Sequence, residues 1–281
     1  MRVNEAYKIS VDSLKKSGCQ SPDFDAMCLL ENAFGFTRTK ILQIWLDEIP
    51  EDIFKRYIDD INKRANKIPL QYIIGSWEFM GLNFSIGPGV LIPRADTEIL
   101  VETAIDYLKS NNIKNPDIID LCSGSGAIAI SIAEFVEKSN VTALELSDDA
   151  LEYLQFNNKI HNNKINIIKH DILIPYESDI KYNCIVSNPP YISKNDMQEL
   201  MEEVKYEPQM ALYGGIDGLD FYRAIIQNWI QNLESGGLIA FEIGKGQHID
   251  IAEMLSKAEI KNIFMKQDLS GIIRVVGGYK T

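Results

Sequence analysis

From about residue 96 onward, short β-like runs alternate with helical stretches, which predicts an α/β fold whose mostly parallel sheet is covered by helices on both faces. Two further observations refine this. Residues 3–67 place their apolar side chains at helical spacing alone, which puts a small α-helical bundle ahead of the sheet. Residues 72–86 then change texture, being rich in Ile, Phe and Trp and broken by Gly75 and Gly81, as expected of a β-hairpin connection. The expected division is 1–70 for the helical domain, 71–92 for the hairpin linker and 93–281 for the sheet domain.

Within the first domain, helix starts are expected at Ser21-Pro22, Thr37 and Pro50, where a cap or a first-turn proline belongs. Its last helix runs through Ile53, Tyr57, Ile58 and Ile61 with charges between them. In the sheet domain a helix is expected over 96–110, a strand over 118–121, a helix over 125–136 and a strand over 141–146. A helix from Asp148 and strands over 165–168 and 182–186 follow. After an interrupting segment come a helix over 219–233, a strand over 238–243, a helix over 249–258 and two β runs near Ile260 and Ile272. There is no internal repeat.

A chain of 281 residues with 46% hydrophobic and 24% charged residues has the balance of a folded globular protein. Its net charge of −12 disfavours nucleic acid as a partner, because affinity for phosphate tracks rests on Lys and Arg displacing counterions. Cys19, Cys28, Cys122 and Cys184 form no Cys-x-x-Cys pair, and His161, His170 and His248 lie far apart, so neither a metal site nor a disulfide framework is expected. No apolar run reaches the ~20 residues that span a bilayer, and the start lacks a signal-peptide core, so a cytoplasmic protein is expected.

Two loops carry the chemistry. Asp120-Leu121-Cys122-Ser123-Gly124-Ser125-Gly126 joins the first strand of the alternating region to a helix, where glycines let the backbone approach a nucleotide-like ligand. Glu145, at the end of the next strand, can accept hydrogen bonds from both hydroxyls of a ribose. The loop alone fits NAD or FAD as well as S-adenosylmethionine. Asp171, past the third strand, can bond the adenine region, and the second loop, Asn188-Pro189-Pro190-Tyr191, follows the fourth. In that tetrapeptide the Asn188 side-chain oxygen and the Pro189 carbonyl are two acceptors able to hold both protons of a planar –NH₂. Tyr191 offers a ring face against the flat group. A methyl group is the expected electrophile.

This order of Gly-rich loop, acid, Asp171 and Asn-Pro-Pro-Tyr resembles class I S-adenosylmethionine-dependent methyltransferases acting on amide or exocyclic nitrogen. Pro69-Leu70-Gln71-Tyr72-Ile73-Ile74-Gly75, Leu91-Ile92-Pro93-Arg94-Ala95-Asp96-Thr97-Glu98, Glu207-Pro208 and Gly215-Ile216-Asp217-Gly218-Leu219 narrow the resemblance to the HemK/PrmC family. It implies a Rossmann-like, mostly parallel seven-stranded class I methyltransferase sheet, and methylation of N5 of the glutamine in the Gly-Gly-Gln motif of class I peptide-chain release factors. The helical domain would help to recognise the release factor. The resemblance assigns Asn188, Pro189, Pro190 and Tyr191 to catalysis. Asp120, Cys122, Ser123, Gly124, Ser125, Gly126, Glu145, Asp171, Ile172 and Asn188 go to cofactor binding, with no metal. S-adenosylhomocysteine would be the product and a monomer the expected state. Cys122 departs from the glycine usual in the family, and Glu145 stands where Asp is common.

Glutamine methylation of a ribosomal protein and N6-adenine methylation of nucleic acid are the alternatives within methyl transfer. A nicotinamide oxidoreductase lacks a nameable hydride-positioning group, and a non-catalytic module has no use for the tetrapeptide. Arg94 could steer a substrate or hold the cofactor cleft, although a lone Arg before a helix is more often a surface ion pair; Asp96, Thr97 and Glu98 read as helix caps. Glu199, Glu202 and Glu203 read as a solvated acidic face whose place also allows contact with a basic substrate segment, and Glu207-Pro208 as a turn or a buttress of the tetrapeptide loop.

Overall fold

The computed structural model describes residues 1–176 and 178–281, which fall into two compact units. The first comprises Met1–Ser76 together with Met201–Tyr206; the second comprises Trp77–Leu200 and Glu207–Thr281.

Unit one is helical: α1 (Val3–Lys16), α2 (Pro22–Phe34), α3 (Arg38–Gln43), α4 (Glu51–Ala65) and α5 (Leu70–Ile74). Pro22 opens α2 as its first residue, where a missing N–H costs nothing, and Gly35 closes it in the left-handed conformation. Leu14, Leu29, Leu30, Tyr57 and Ile61 form the core, and the Tyr57 hydroxyl is satisfied by the Ala26 carbonyl. The short helix α5 stands where the sequence predicts the start of β structure, because Pro69 fixes a helical entry and Gly75 the exit. Arg64, only 4% exposed, donates to Asp25 at 2.6 Å and to Glu203 at 2.7 Å. Glu203, its side chain 35% exposed, is therefore the outer partner of a buried arginine rather than part of a fully solvated face, a correction to the sequence reading.

The expected hairpin, β1 (Ser76–Phe79) and β2 (Leu82–Ser85), starts at the last residue of Met1–Ser76 and otherwise belongs to unit two; it is turned by Met80 and Gly81, both at positive φ. Helix α6 (Glu98–Ser110) follows a 3₁₀ turn at Ala95–Thr97. Then come β3 (Asp117–Leu121), α7 (Ala127–Phe135), β4 (Asn140–Glu145), α8 (Asp148–Ile160), β5 (Ile165–Lys169) and β6 (Tyr182–Ser187). The C-terminal part holds α9 (Asp220–Trp229), β7 (Leu233–Glu242), α10 (His248–Lys257), β8 (Ile260–Gln267) and β9 (Ile273–Lys280). The seven-stranded sheet has the order β5-β4-β3-β6-β7-β9-β8, parallel from β5 to β7, with β9 antiparallel to both of its neighbours.

The strand order reverses between β3 and β6, and ligands of open α/β sheets settle outside the strand ends at such a switch point. The near-continuous apolar runs of β3 and β6 are what a strand covered on both faces requires. Strand β7 starts five residues before the sequence reading, at Leu233 instead of Leu238. Residues 234–236 are exposed and Gly236-Gly237 looks like a turn, although that stretch already runs as strand.

Candidate active site

A cavity opens at the C-terminal ends of β3, β4, β5 and β6. Cys122, Ser123, Gly124 and Ser125 line it from the first loop, Glu145 from the end of β4, Asp171 and Ile172 from beyond β5, and Asn188 and Pro190 from beyond β6. The structure thus brings nine of the sequence-selected residues to one cavity. Asp120, Gly126, Pro189 and Tyr191 are not among its lining residues, although each adjoins one of them in sequence or loop.

Asp120 is fully buried beneath the loop, and neither of its carboxyl oxygens has a hydrogen-bond partner among the described residues. Burial pushes its pKa up to about 8, so it is held there largely as the neutral acid. Cys122 takes φ 63°, the left-handed region that favours glycine and costs a side chain about 1–3 kcal/mol. Burial raises its thiol well above the ordinary range, with Glu145 and Asp120 adding to the effect, so the sulfur is an apolar wall of the cavity and no thiolate nucleophile. Gly126 is required by packing as well as by its φ of 83°: a Cβ there would lie 2.4 Å from the Leu154 side chain.

Glu145 binds the loop to the end of β4. One oxygen accepts from Leu146 and Ser147 N–H, both at 2.8 Å, and the other from Gly124 N–H at 2.8 Å. Its reach is set before any ligand enters. Asn157, buried in α8, adds a second clasp by donating to the Ser125 and Ser85 carbonyls, at 2.9 and 3.0 Å, while accepting from Ser85 N–H.

The tetrapeptide is fixed differently. Gln247 donates to the carbonyls of Tyr191 at 3.0 Å and Gly218 at 3.1 Å, and its own oxygen accepts from Gly244 N–H at 2.9 Å. Gly214 packs so closely under the loop that a Cβ would sit 2.6 Å from the Pro190 oxygen. Asn188 donates its amide to the Thr97 hydroxyl at 3.4 Å, and the buried Glu242 carboxyl lies beside that hydroxyl. Burial pushes the Tyr191 phenol upward, keeping it a neutral ring.

The segment before α6 also departs from the sequence reading. The Thr97 side chain makes no cap bond, Asp96 pairs with Arg274 at 3.0 Å, and Glu98 accepts from the Met80 N–H at the hairpin turn, at 2.8 Å. Arg94 pairs with Glu207, which is 4% exposed and also accepts from the Ile92 N–H at 3.1 Å. The Arg94 side chain is 38% exposed and that of Glu207 2%, and the pair joins two stretches of the cavity wall, since Pro93 and Pro208 both line it.

A profile of the PrmC N-terminal domain matches residues 5–75, and one of the methyltransferase small domain matches 95–210. The Release factor glutamine methyltransferase of Clostridium acetobutylicum is 38% identical over 280 residues, covering 98% of each chain. That of Clostridium botulinum is 40% identical over 271 residues, covering 95% of each. This chain belongs to the release factor glutamine methyltransferases. Among solved structures, a methyltransferase from Pyrococcus furiosus, 18% identical, has a TM-score of 0.54, covers 78% of this chain and 98% of its own, and shares the class I methyltransferase fold.

As a release factor glutamine methyltransferase, the chain builds its site from more residues than its motifs announce. Asn157, Gln247 and Glu242 are absent from the sequence reading and Thr97 stands there only as a helix cap, because their neighbours in the site lie tens of residues away in sequence. The structure ties Glu207 to Arg94 and to the Ile92 N–H, partners that the Glu207-Pro208 motif does not announce. Among the described residues no His, Cys, Asp and Glu are grouped to hold a metal, and no helix is long and apolar enough to cross a membrane.

Proposed function

We propose that this chain transfers a methyl group from S-adenosylmethionine to the side-chain amide N5 of the glutamine in the Gly-Gly-Gln motif of class I release factors. The observation that carries the reading is that Asn188 and Pro190 open onto the same cavity as Glu145 and Asp171, so an amide-binding loop and a nucleoside-binding edge share one space.

The donor set fits the cofactor. Glu145 would hold the ribose, Asp171 and Ile172 the adenine region, and the backbone of Cys122–Gly126 would lie along the remainder, with Leu144 and Ile128 as apolar walls. When bound, S-adenosylmethionine supplies a methyl group on a positively charged sulfur. What the protein supplies is the alignment of a poor nucleophile.

An amide nitrogen has its lone pair delocalised into the carbonyl, so basicity contributes little to the reaction. Asn188 Oδ1 and the Pro189 carbonyl hold the two N–H groups of the substrate, with Pro190 and Tyr191 walling the site, which directs the nitrogen lone pair along one line. Both hydrogen bonds strengthen as positive charge grows on that nitrogen, and no strong general base is needed. After transfer, one of the two protons leaves to solvent or to the release factor.

The test is transfer of labelled methyl from S-adenosylmethionine to purified, unmethylated release factor, located by mass spectrometry. Label on the Gly-Gly-Gln glutamine, absent when that Gln is changed to Ala, is expected. Label on a ribosomal protein or on nucleic acid instead would overturn the substrate, and failure to bind the cofactor would overturn the chemistry.

A further inference from the structure

A side-chain amide has two chemically opposite ends, and the proposed reaction needs the oxygen of Asn188 to face the substrate. Nothing in the tetrapeptide itself selects that orientation. The selection lies below it, at the ends of two neighbouring strands: Ser187 of β6 pairs in register with Phe241 of β7, so Asn188 and Glu242 occupy adjacent positions as the strands emerge from the sheet. Thr97 stands with them. Its hydroxyl is 3.4 Å from Asn188 Nδ2, and it lies close enough to the Glu242 side chain to favour the ionised carboxylate.

We propose that Thr97 and Glu242 are positioning residues that fix the polarity of the Asn188 amide. A hydroxyl has one proton. With that proton directed to the Glu242 carboxylate, Thr97 presents only lone pairs to Asn188, so only the NH₂ end of Asn188 can face it and Oδ1 is turned toward the substrate. If the proton were free, Thr97 could donate to Oδ1 equally well, and the amide would flip. Glu242 thus acts on the reaction through two hydrogen bonds without touching the substrate.

Its burial supports this role. Glu242 is 2% exposed, and its Oε2 has no hydrogen-bond partner among the described residues, an expensive arrangement for a group that only filled space. The groups facing it are the Thr97 hydroxyl, Asp96 and Arg94 from the segment before α6, Arg274 of β9, Tyr191 of the tetrapeptide and Tyr222 of α9. The Tyr222 hydroxyl also holds the Glu242 main-chain carbonyl at 2.9 Å. Burial raises the Glu242 carboxyl to about 7, with the nearby Asp96 adding to the effect, so acidification protonates it and releases the Thr97 proton.

The inference rests on the proposed amide chemistry, and its test has one arm that does not depend on it. In the methylation assay, Thr97→Val lowers kcat about tenfold or more while the KM for S-adenosylmethionine stays within about twofold; Thr97→Ser restores kcat. The wild-type kcat falls as pH drops through about 7, and Glu242→Gln abolishes that dependence. In the second arm, without substrate, the ¹⁵N–¹H side-chain signal of Asn188, assigned by its loss in Asn188→Ala, exchanges slowly and shifts with pH near 7 in the wild type. It does neither in Thr97→Val. A kcat for Thr97→Val within twofold of wild type, or an Asn188 signal indifferent to that change, overturns the proposal. Failure of wild type to methylate release factor, with the Asn188 signal behaving as described, overturns the substrate reading and leaves the relay standing.

Discussion

The loop Cys122–Gly126 is held by residues close to it in sequence, with Glu145 bonding Gly124 across 21 positions and Asn157 bonding Ser125 across 32. The loop Asn188–Tyr191 is held from farther away, by Thr97 across 91 positions and Gln247 across 56, and is undercut by Gly214. The first loop is shaped by backbone geometry and tolerates a strained Cys122. The second is shaped by side chains that fix where two acceptors stand. A binding loop can be made locally, whereas a loop whose acceptors must be placed to fractions of an ångström is braced from several directions.

Substitutions that strike one loop should leave the other's task intact. Asn188→Ala is expected to cost about 10²–10³ in kcat, as removal of a preplaced polar group from a reacting centre does, with cofactor Kd nearly unchanged by calorimetry. Gly214→Ala pushes a methyl group against the Pro190 oxygen and is expected to lower kcat by about 100-fold, again at nearly constant cofactor affinity. Loss of cofactor binding in either variant would mean that the two loops are not separable in function. Glu145→Gln should do the reverse. It weakens cofactor binding by about 10- to 100-fold through loss of charge-assisted hydrogen bonds, while kcat at saturating cofactor stays close to wild type.

Asp120 gives a stability test of the first loop. Its folded-state pKa of about 8 lies above that of an unfolded Asp, about 3.9, so the folded protein binds the extra proton between those values. Stability from this group is fully present below about pH 4 and is lost as pH rises toward 8. Asp120→Asn should therefore gain Tm over wild type by a margin that widens from pH 5 to pH 8; a constant margin refutes the assignment. Cys122→Gly is the smallest effect: relief of left-handed strain and the entropy of a new glycine offset one another to within about 1 kcal/mol. Cofactor Kd should improve slightly as the side chain leaves the cavity wall.

The same contrast governs how much could be read without coordinates. Apolar runs of the right length marked β3, β4 and β6, and the alternation with helices indicated the parallel sheet, because those signals are local. Cys122, Glu145, Asp171 and Asn188 were legible from residue type and place alone, and the fold brings all four to one cavity. The braces were not. Thr97 beside two acids looks like a helix cap, Glu203 among acids looks solvated, and Gln247 after Gly-Lys-Gly looks like a turn. Each is defined by a partner that only the folded sheet brings near. Likewise, Pro69 and Gly75 bound a helical turn too short for periodicity to register, and Gly236-Gly237 disguised the first half of β7.

Arg64 and Glu203, joined in unit one, are 139 positions apart. On a ribosome adding about 5–20 residues per second, the first helices are complete roughly 7–28 s before Glu203 is added. In that interval Arg64 has only Asp25 as a carboxylate partner in the finished pair, and the place later filled by residues 201–206 is still open. The helical unit therefore reaches its final form only after β3 to β6 have been made, and a gene cut after residue 76 would separate Arg64 permanently from one of its two acids.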